Sequence, residues 1–75
     1  MYFIIENHTN ADGSVRTETT ARQTFASGLS LYHERISKMV VNEQYVSVDV
    51  LLVDKDLSTV RYGHAHIENG KVEYR

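Results

Sequence analysis

The sequence predicts an α+β fold: a single helix packed on one face of a mainly antiparallel sheet, in the order β-β-α-β-β-β. Three observations carry that prediction. Between Ala21 and Asn42, the residues Phe25, Leu29, Tyr32, Ile36, Met39 and Val40 recur at helical spacing and gather into one apolar stripe. On either side of this segment, runs rich in β-branched and aromatic residues alternate with the period of a strand. Asp12-Gly13 and Asn69-Gly70 are hairpin-turn dipeptides set between such runs.

In chain order, Tyr2 to Thr9 and Ser14 to Thr19 read as two strands joined across Asn10-Ala11-Asp12-Gly13. The helix follows, with Thr20 and Gln23 spaced as a capping box and Arg22 in the expected first turn. Gly28 stands beside the apolar stripe, at a cost of up to about 1 kcal/mol against alanine. A close approach to the sheet is the physical reason to expect it there. Asn42 serves as terminator.

Tyr45 to Asp54 is the strongest strand signal. Val46, Val48, Val50 and Leu52 point to one face, Leu51 and Val53 to the other. Asp54 to Ser58 is a loop of hairpin size in which Asp54 and Asp56 supply turn chemistry. Thr59 to Glu68 is a fourth strand, and a type I′ turn at Asn69-Gly70 leads into Lys71–Tyr74. That turn sets the expected pairs Glu68 with Lys71, Ile67 with Val72, His66 with Glu73, Ala65 with Tyr74 and His64 with Arg75. Gly63 and Ala65 then fall on a packed face; Tyr62, His64 and His66 fall on a wet one.

Seventy-five residues make one domain, 1–75, near the small end of what folds unaided. There is no cysteine, so neither a disulfide nor a thiolate metal site is available. A net charge of −2, with both signs interspersed, argues against non-specific nucleic-acid binding. No apolar run approaches the roughly 18–20 residues of a membrane span, and the first residues lack a leader pattern. The expectation is a cytoplasmic protein.

Two strands are apolar on both sides, yet one helix covers one sheet face. A second copy or a partner is the economical cover for the other face, with Tyr2, Ile4, Leu51 and Val53 as its expected residues. The expected state is therefore a homo-oligomer.

Met1-Tyr2-Phe3-Ile4-Ile5-Glu6, Thr9-Asn10-Ala11-Asp12-Gly13-Ser14-Val15, the dipeptide Tyr32-His33 and the run from Ser47 to Asp54 resemble a known group. That group consists of small uncharacterised proteins encoded by tailed phages and prophages of Firmicutes-type bacteria. The resemblance spans about residues 1–54. It implies an origin and a setting, the cytoplasm of an infected bacterial host, and no reaction. From Leu57 onward the chain has its own features.

Chemistry-bearing residues are few. His64 and His66 share a strand face about 6–7 Å apart, with Glu73 opposite His66, so the three form a weak candidate metal site. A solvated polar face is the competing reading and is preferred, so no metal and no cofactor are expected. Catalysis finds no cysteine, no nucleophile elbow and no glycine-rich phosphate loop. Arg16, Arg22, Arg35 and Arg61, with Tyr32, Tyr45, Tyr62 and Tyr74, form an inventory for an anionic aromatic ligand such as a nucleotide, and Arg22, Arg16, Arg61, Tyr32 and His33 are the expected ligand-binding residues. Guanidinium forks suit phosphate, phenol rings suit a base, and a helix start favours anions.

Together these features lead to the expectation of a small, non-enzymatic, phage-encoded binding protein. Its expected role is counter-defence, as an oligomer that sequesters a nucleotide immune signal of the host. The alternatives are a direct inhibitor of a host defence protein, of the anti-CRISPR type, and a minor virion or tail-associated component.

Overall fold

The structure, a computed structural model, describes residues 1–39, 45–68 and 71–74. Strands β1 (Tyr2–Asn10) and β2 (Val15–Arg22) precede helix α1 (Phe25–Met39), and β3 (Tyr45–Val53), β4 (Thr59–Glu68) and β5 (Lys71–Tyr74) follow it. The strands form one antiparallel sheet in the order β2-β1-β3-β4-β5. The expected α+β architecture is the one the chain adopts. The expected pairing of β4 with β5 also holds, from Glu68↔Lys71 to Ala65↔Tyr74. Val40, the Asn42 terminator, the Asn69-Gly70 turn and the Arg75 pairing lie outside the described residues.

The first hairpin is closed by a three-residue turn. Asn10 N–H donates to the Ser14 carbonyl (2.8 Å) and Gly13 N–H donates to the Asn10 carbonyl (3.0 Å). Gly13 has φ of 90°, the left-handed region where a side chain is strained. The β3–β4 turn repeats this arrangement. Asp54 N–H donates to the Ser58 carbonyl and Leu57 N–H to the Asp54 carbonyl, each at 3.0 Å. Asp54 Oδ1 also accepts from the Asp56 and Ser58 N–H groups, so this carboxylate does serve the turn. The left-handed position is here filled by Leu57, at φ of 63°.

The helix starts later than its periodicity suggested. β2 runs on through Thr20, Ala21 and Arg22, paired with Ile4, Phe3 and Tyr2. Continuing the ladder gives those backbone groups partners that a frayed first helical turn would leave open. Thr24, and not Thr20, is the cap: its Oγ1 accepts from Ser27 N–H (3.2 Å) and its carbonyl from Gly28 N–H (3.0 Å). Arg22 is consequently the last residue of a strand and not part of a helical turn.

The core forms where α1 crosses the sheet. Ile4, Val50 and Leu52 are fully buried, joined by Leu31, Tyr32, Val48 and Ala65, with Tyr2, Leu29, Ile36 and Val60 packed around them. Gly28 lies where an added Cβ would stand 3.2 Å from Leu52 Cδ1 and 3.3 Å from Tyr2 Cβ, the close approach the sequence suggested. Residues directly opposite one another in antiparallel strands share a face. Tyr2, Ile4, Glu6 and His8 therefore face the helix, together with Val48, Val50 and Leu52, whereas Phe3, Ile5 and Leu51 face away. This corrects the expected interface set. Ile4 has no exposure and Tyr2 packs on the helical-side core, so neither belongs to the open face. Leu51 does belong there, paired with Ile5. Val53, paired with Phe3, is buried and stands apart from the cluster under the helix.

Candidate functional site

Strand register sorts the polar side chains into three groups. The first lies on the open face. Asp49 of β3 is directly opposite His64 of β4, and Asp49 Oδ1 lies 2.5 Å from His64 Nδ1 and accepts from Tyr62 Oη at 2.8 Å. The His64 and His66 rings are tilted at 36° with centroids 5.4 Å apart. Nearby, Thr17 Oγ1 donates to Asn7 Oδ1 at 2.8 Å. The open face is thus graded: Phe3, Ile5 and Leu51 at one end, Asn7, Asp49, His64 and His66 at the other. Of the weak metal candidates, His64 and His66 are neighbours as expected. Glu73 is opposite His66 by register, and its side chain lies outside what is described. Sequence reasoning missed Asp49, whose bond to His64 engages one ring nitrogen.

The second group lies at the end of the sheet where α1 begins. The Arg61 guanidinium carbon stands 5.9 Å from the centre of the Phe25 ring, a cation–π distance. Phe25 meets the Tyr2 ring edge-to-face, centroids 5.7 Å apart at 83°. Tyr2 is in turn the cross-strand partner of Arg22. One of the expected arginines, Arg61, therefore stands over an aromatic pair, and a second, Arg22, is the strand-register partner of the pair's other member. Each gives one of its five N–H groups to a neighbouring carbonyl, Arg22 to Ala21 and Arg61 to Val60, both at 2.9 Å.

The other members of the expected set are placed elsewhere. Arg16 lies six positions up β2 from Arg22, about 20 Å by strand rise. There it pairs with Glu18 at 3.0 Å. Tyr32 is a core residue whose phenol sits near Gly63, and burial holds its pKa above the ordinary value while the charge of Arg61 pulls the other way. His33 is exposed on the outer side of the helix, its ring edge-on to Tyr32 at 5.4 Å.

The third group was not anticipated at all. On the helix side, Glu6 is directly opposite Glu18, and His8 is directly opposite Arg16. Glu6 is 4% exposed. Its Oε1 lies 3.5 Å from His8 Nε2 and its Oε2 lies 3.4 Å from Arg35 Nε, reaching down from α1. The signal was present as Tyr2, Ile4, Glu6 and His8 on one strand face, but joining Glu18 to it required the hairpin register.

No helix among the described residues is long and apolar enough to cross a membrane. Compared with protein-family models, with curated proteins and with solved structures, the chain matches none of them.

Proposed function

We propose that the protein acts by binding and not by catalysis, taking a phosphate-bearing nucleotide at the end of the sheet where α1 begins. The observation that supports this reading most is the run Arg61–Phe25–Tyr2–Arg22: a guanidinium over one ring of an aromatic pair, with a second arginine directly opposite the other ring's residue in the strand register. Both arginines keep donors to spare, and a fork of N–H groups matches phosphate oxygens. Arg61 is exposed and Arg22 half-exposed, so a ligand reaches them without unfolding the core. Thr24 and Phe25 add the start of a fifteen-residue helix, whose free N–H groups favour an anion. In the phage setting that residues 1–54 resemble, such binding would sequester a host nucleotide immune signal. Self-association through the open sheet face would bring two or more such ends into one particle.

A panel of cyclic and linear nucleotides tests the proposal by thermal shift and calorimetry. A nucleotide that binds only the folded form raises the unfolding temperature by mass action. Arg61→Ala and Arg22→Ala should each weaken binding by about 1.5–3 kcal/mol, the range for a charge-assisted hydrogen bond. Arg16→Ala, at the far end of β2, should leave it unchanged. Absence of any shift across the panel sinks the nucleotide reading. A second reading, direct inhibition of a host defence protein, is favoured by Phe3, Ile5 and Leu51, which the helix leaves uncovered. Recovery of one stoichiometric host protein by the wild type, and its loss on Leu51→Lys, would put that reading first.

A further inference from the structure

We propose that Glu6, His8 and Glu18 form a binding site for a divalent first-row transition-metal cation, with zinc the ion their donor set suits. One donor atom from each residue lies within 4.8 Å of the other two, the one such trio among the described residues. Donors bonded at about 2.1 Å to a tetrahedral centre lie roughly 3.4 Å apart. Closing the trio onto an ion therefore asks for up to roughly 1.4 Å of movement, which the exposed Glu18 side chain can supply. Two carboxylates and one imidazole are borderline-hard donors that zinc and its neighbours accept.

A second observation points the same way. The Glu6 side chain is 5% exposed; its Oε2 meets Arg35 Nε at 3.4 Å, which leaves Oε1 turned toward His8 Nε2 at 3.5 Å. A buried carboxylate needs cationic or hydrogen-bonding partners on both oxygens. Its directly opposite neighbour is another carboxylate, Glu18, an arrangement that repels across a strand pair. A cation between Glu6 Oε1, His8 Nε2 and Glu18 removes that repulsion. Arg35 keeps its place on Oε2 at 3.4 Å and holds the Glu6 carboxylate in orientation from behind. The exposed Arg16–Glu18 pair is a contact the ion must compete with, and a solvent-exposed pair of that kind is weak. Glu18, on the edge strand, is the way in.

The experiment is a titration of untagged, chelator-treated protein with zinc chloride, read by calorimetry and by competition with a chromophoric chelator. One zinc per chain, bound in the micromolar range or tighter, is the expected result. Glu18→Gln and His8→Gln should each weaken binding about 10-fold or more. Circular dichroism of both variants verifies the fold. Glu18→Gln changes an exposed residue and keeps a folded variant in hand should His8→Gln misfold. A double variant, His64→Ala with His66→Ala, should bind as the wild type does, and X-ray absorption should report one imidazole in the zinc shell. Unchanged affinity in Glu18→Gln, loss of binding in the His64/His66 variant, or no binding by the wild type would each overturn the assignment.

Discussion

Leu57 stands at the left-handed position of its turn with 71% of its surface exposed. A side chain there costs about 1–2 kcal/mol, and the matching position of the first hairpin holds Gly13. Leu57→Gly should therefore raise stability by about 1 kcal/mol, since little buried surface is lost. Gly13→Ala should lower it by a similar amount. Urea unfolding of both variants checks the pair; a Leu57→Gly protein no more stable than wild type would show that the strain is absent in solution. Tyr32 offers a pH test at the same scale. Burial favours its neutral phenol, so its pKa in the folded protein lies above the ordinary 10.0. The stabilisation this represents is complete below pH 10 and is lost as pH rises through the folded-state pKa. Wild type should thus lose stability more steeply than Tyr32→Phe above about pH 10, by up to about 1.4 kcal/mol per pH unit. Parallel pH curves for the two proteins would contradict the assignment.

The helix shows how much of one element can be read from its residues. Its apolar stripe was legible because large side chains repeating every 3.6 residues line up on one side of a helix and of nothing else. Tyr32, Ile36 and Leu29 do pack on the sheet. Its start was not legible. Thr19, Thr20 and Thr24 suit a strand as well as a cap, and the β1–β2 ladder decides between them. Thr24→Ala should cost about 0.5–2 kcal/mol by removing the Oγ1 acceptor, whereas Thr20→Ala should not act through capping. Amide exchange at Ser27, faster in Thr24→Ala alone, distinguishes them. The same contrast runs through the sheet. The β4–β5 pairing was readable from Asn69-Gly70, but the β3–β4 register carries an irregularity between Leu52 and Val53. That irregularity hid the meeting of Asp49 with His64. Glu6 and Glu18, 12 residues apart in the chain, stand in a regular ladder, and they were invisible as a pair because the length of the turn at residues 11–13 sets that ladder's register. Sites made by pairing across strands become visible only once the register is known.

For the whole molecule, one helix on five strands leaves a face that no other element among the described residues covers. Phe3, Ile5 and Leu51 are half-buried by their neighbours alone. On the oligomer reading, wild-type protein sediments above the 8.6 kDa of one chain at micromolar concentration. Leu51→Lys should then shift it to monomer or aggregate, while Ser47→Lys, on the polar end of the same face, should be milder. A clean 8.6 kDa particle for the wild type would remove that reading.

The position of β1 in the sheet also bears on how the chain reaches its structure. β1 pairs locally with β2, and β3, β4 and β5 follow one another as a meander. The seam between the two halves joins Phe3 to Val53 and Ile4 to Leu52, partners separated by the second strand, the helix and most of the third strand. Closing so large a loop costs chain entropy before any contact rewards it. The hairpin and the meander can each assemble early, and their zipping together under the helix is the step expected to set the pace of folding. Until it happens, Ile4, Ile5, Val50, Leu51 and Leu52 line two open strand edges that attract each other, or the same edges of other chains. A substitution of a fully buried residue of that seam, Ile4 or Val50, is expected to act first on the rate of folding and the yield of folded protein.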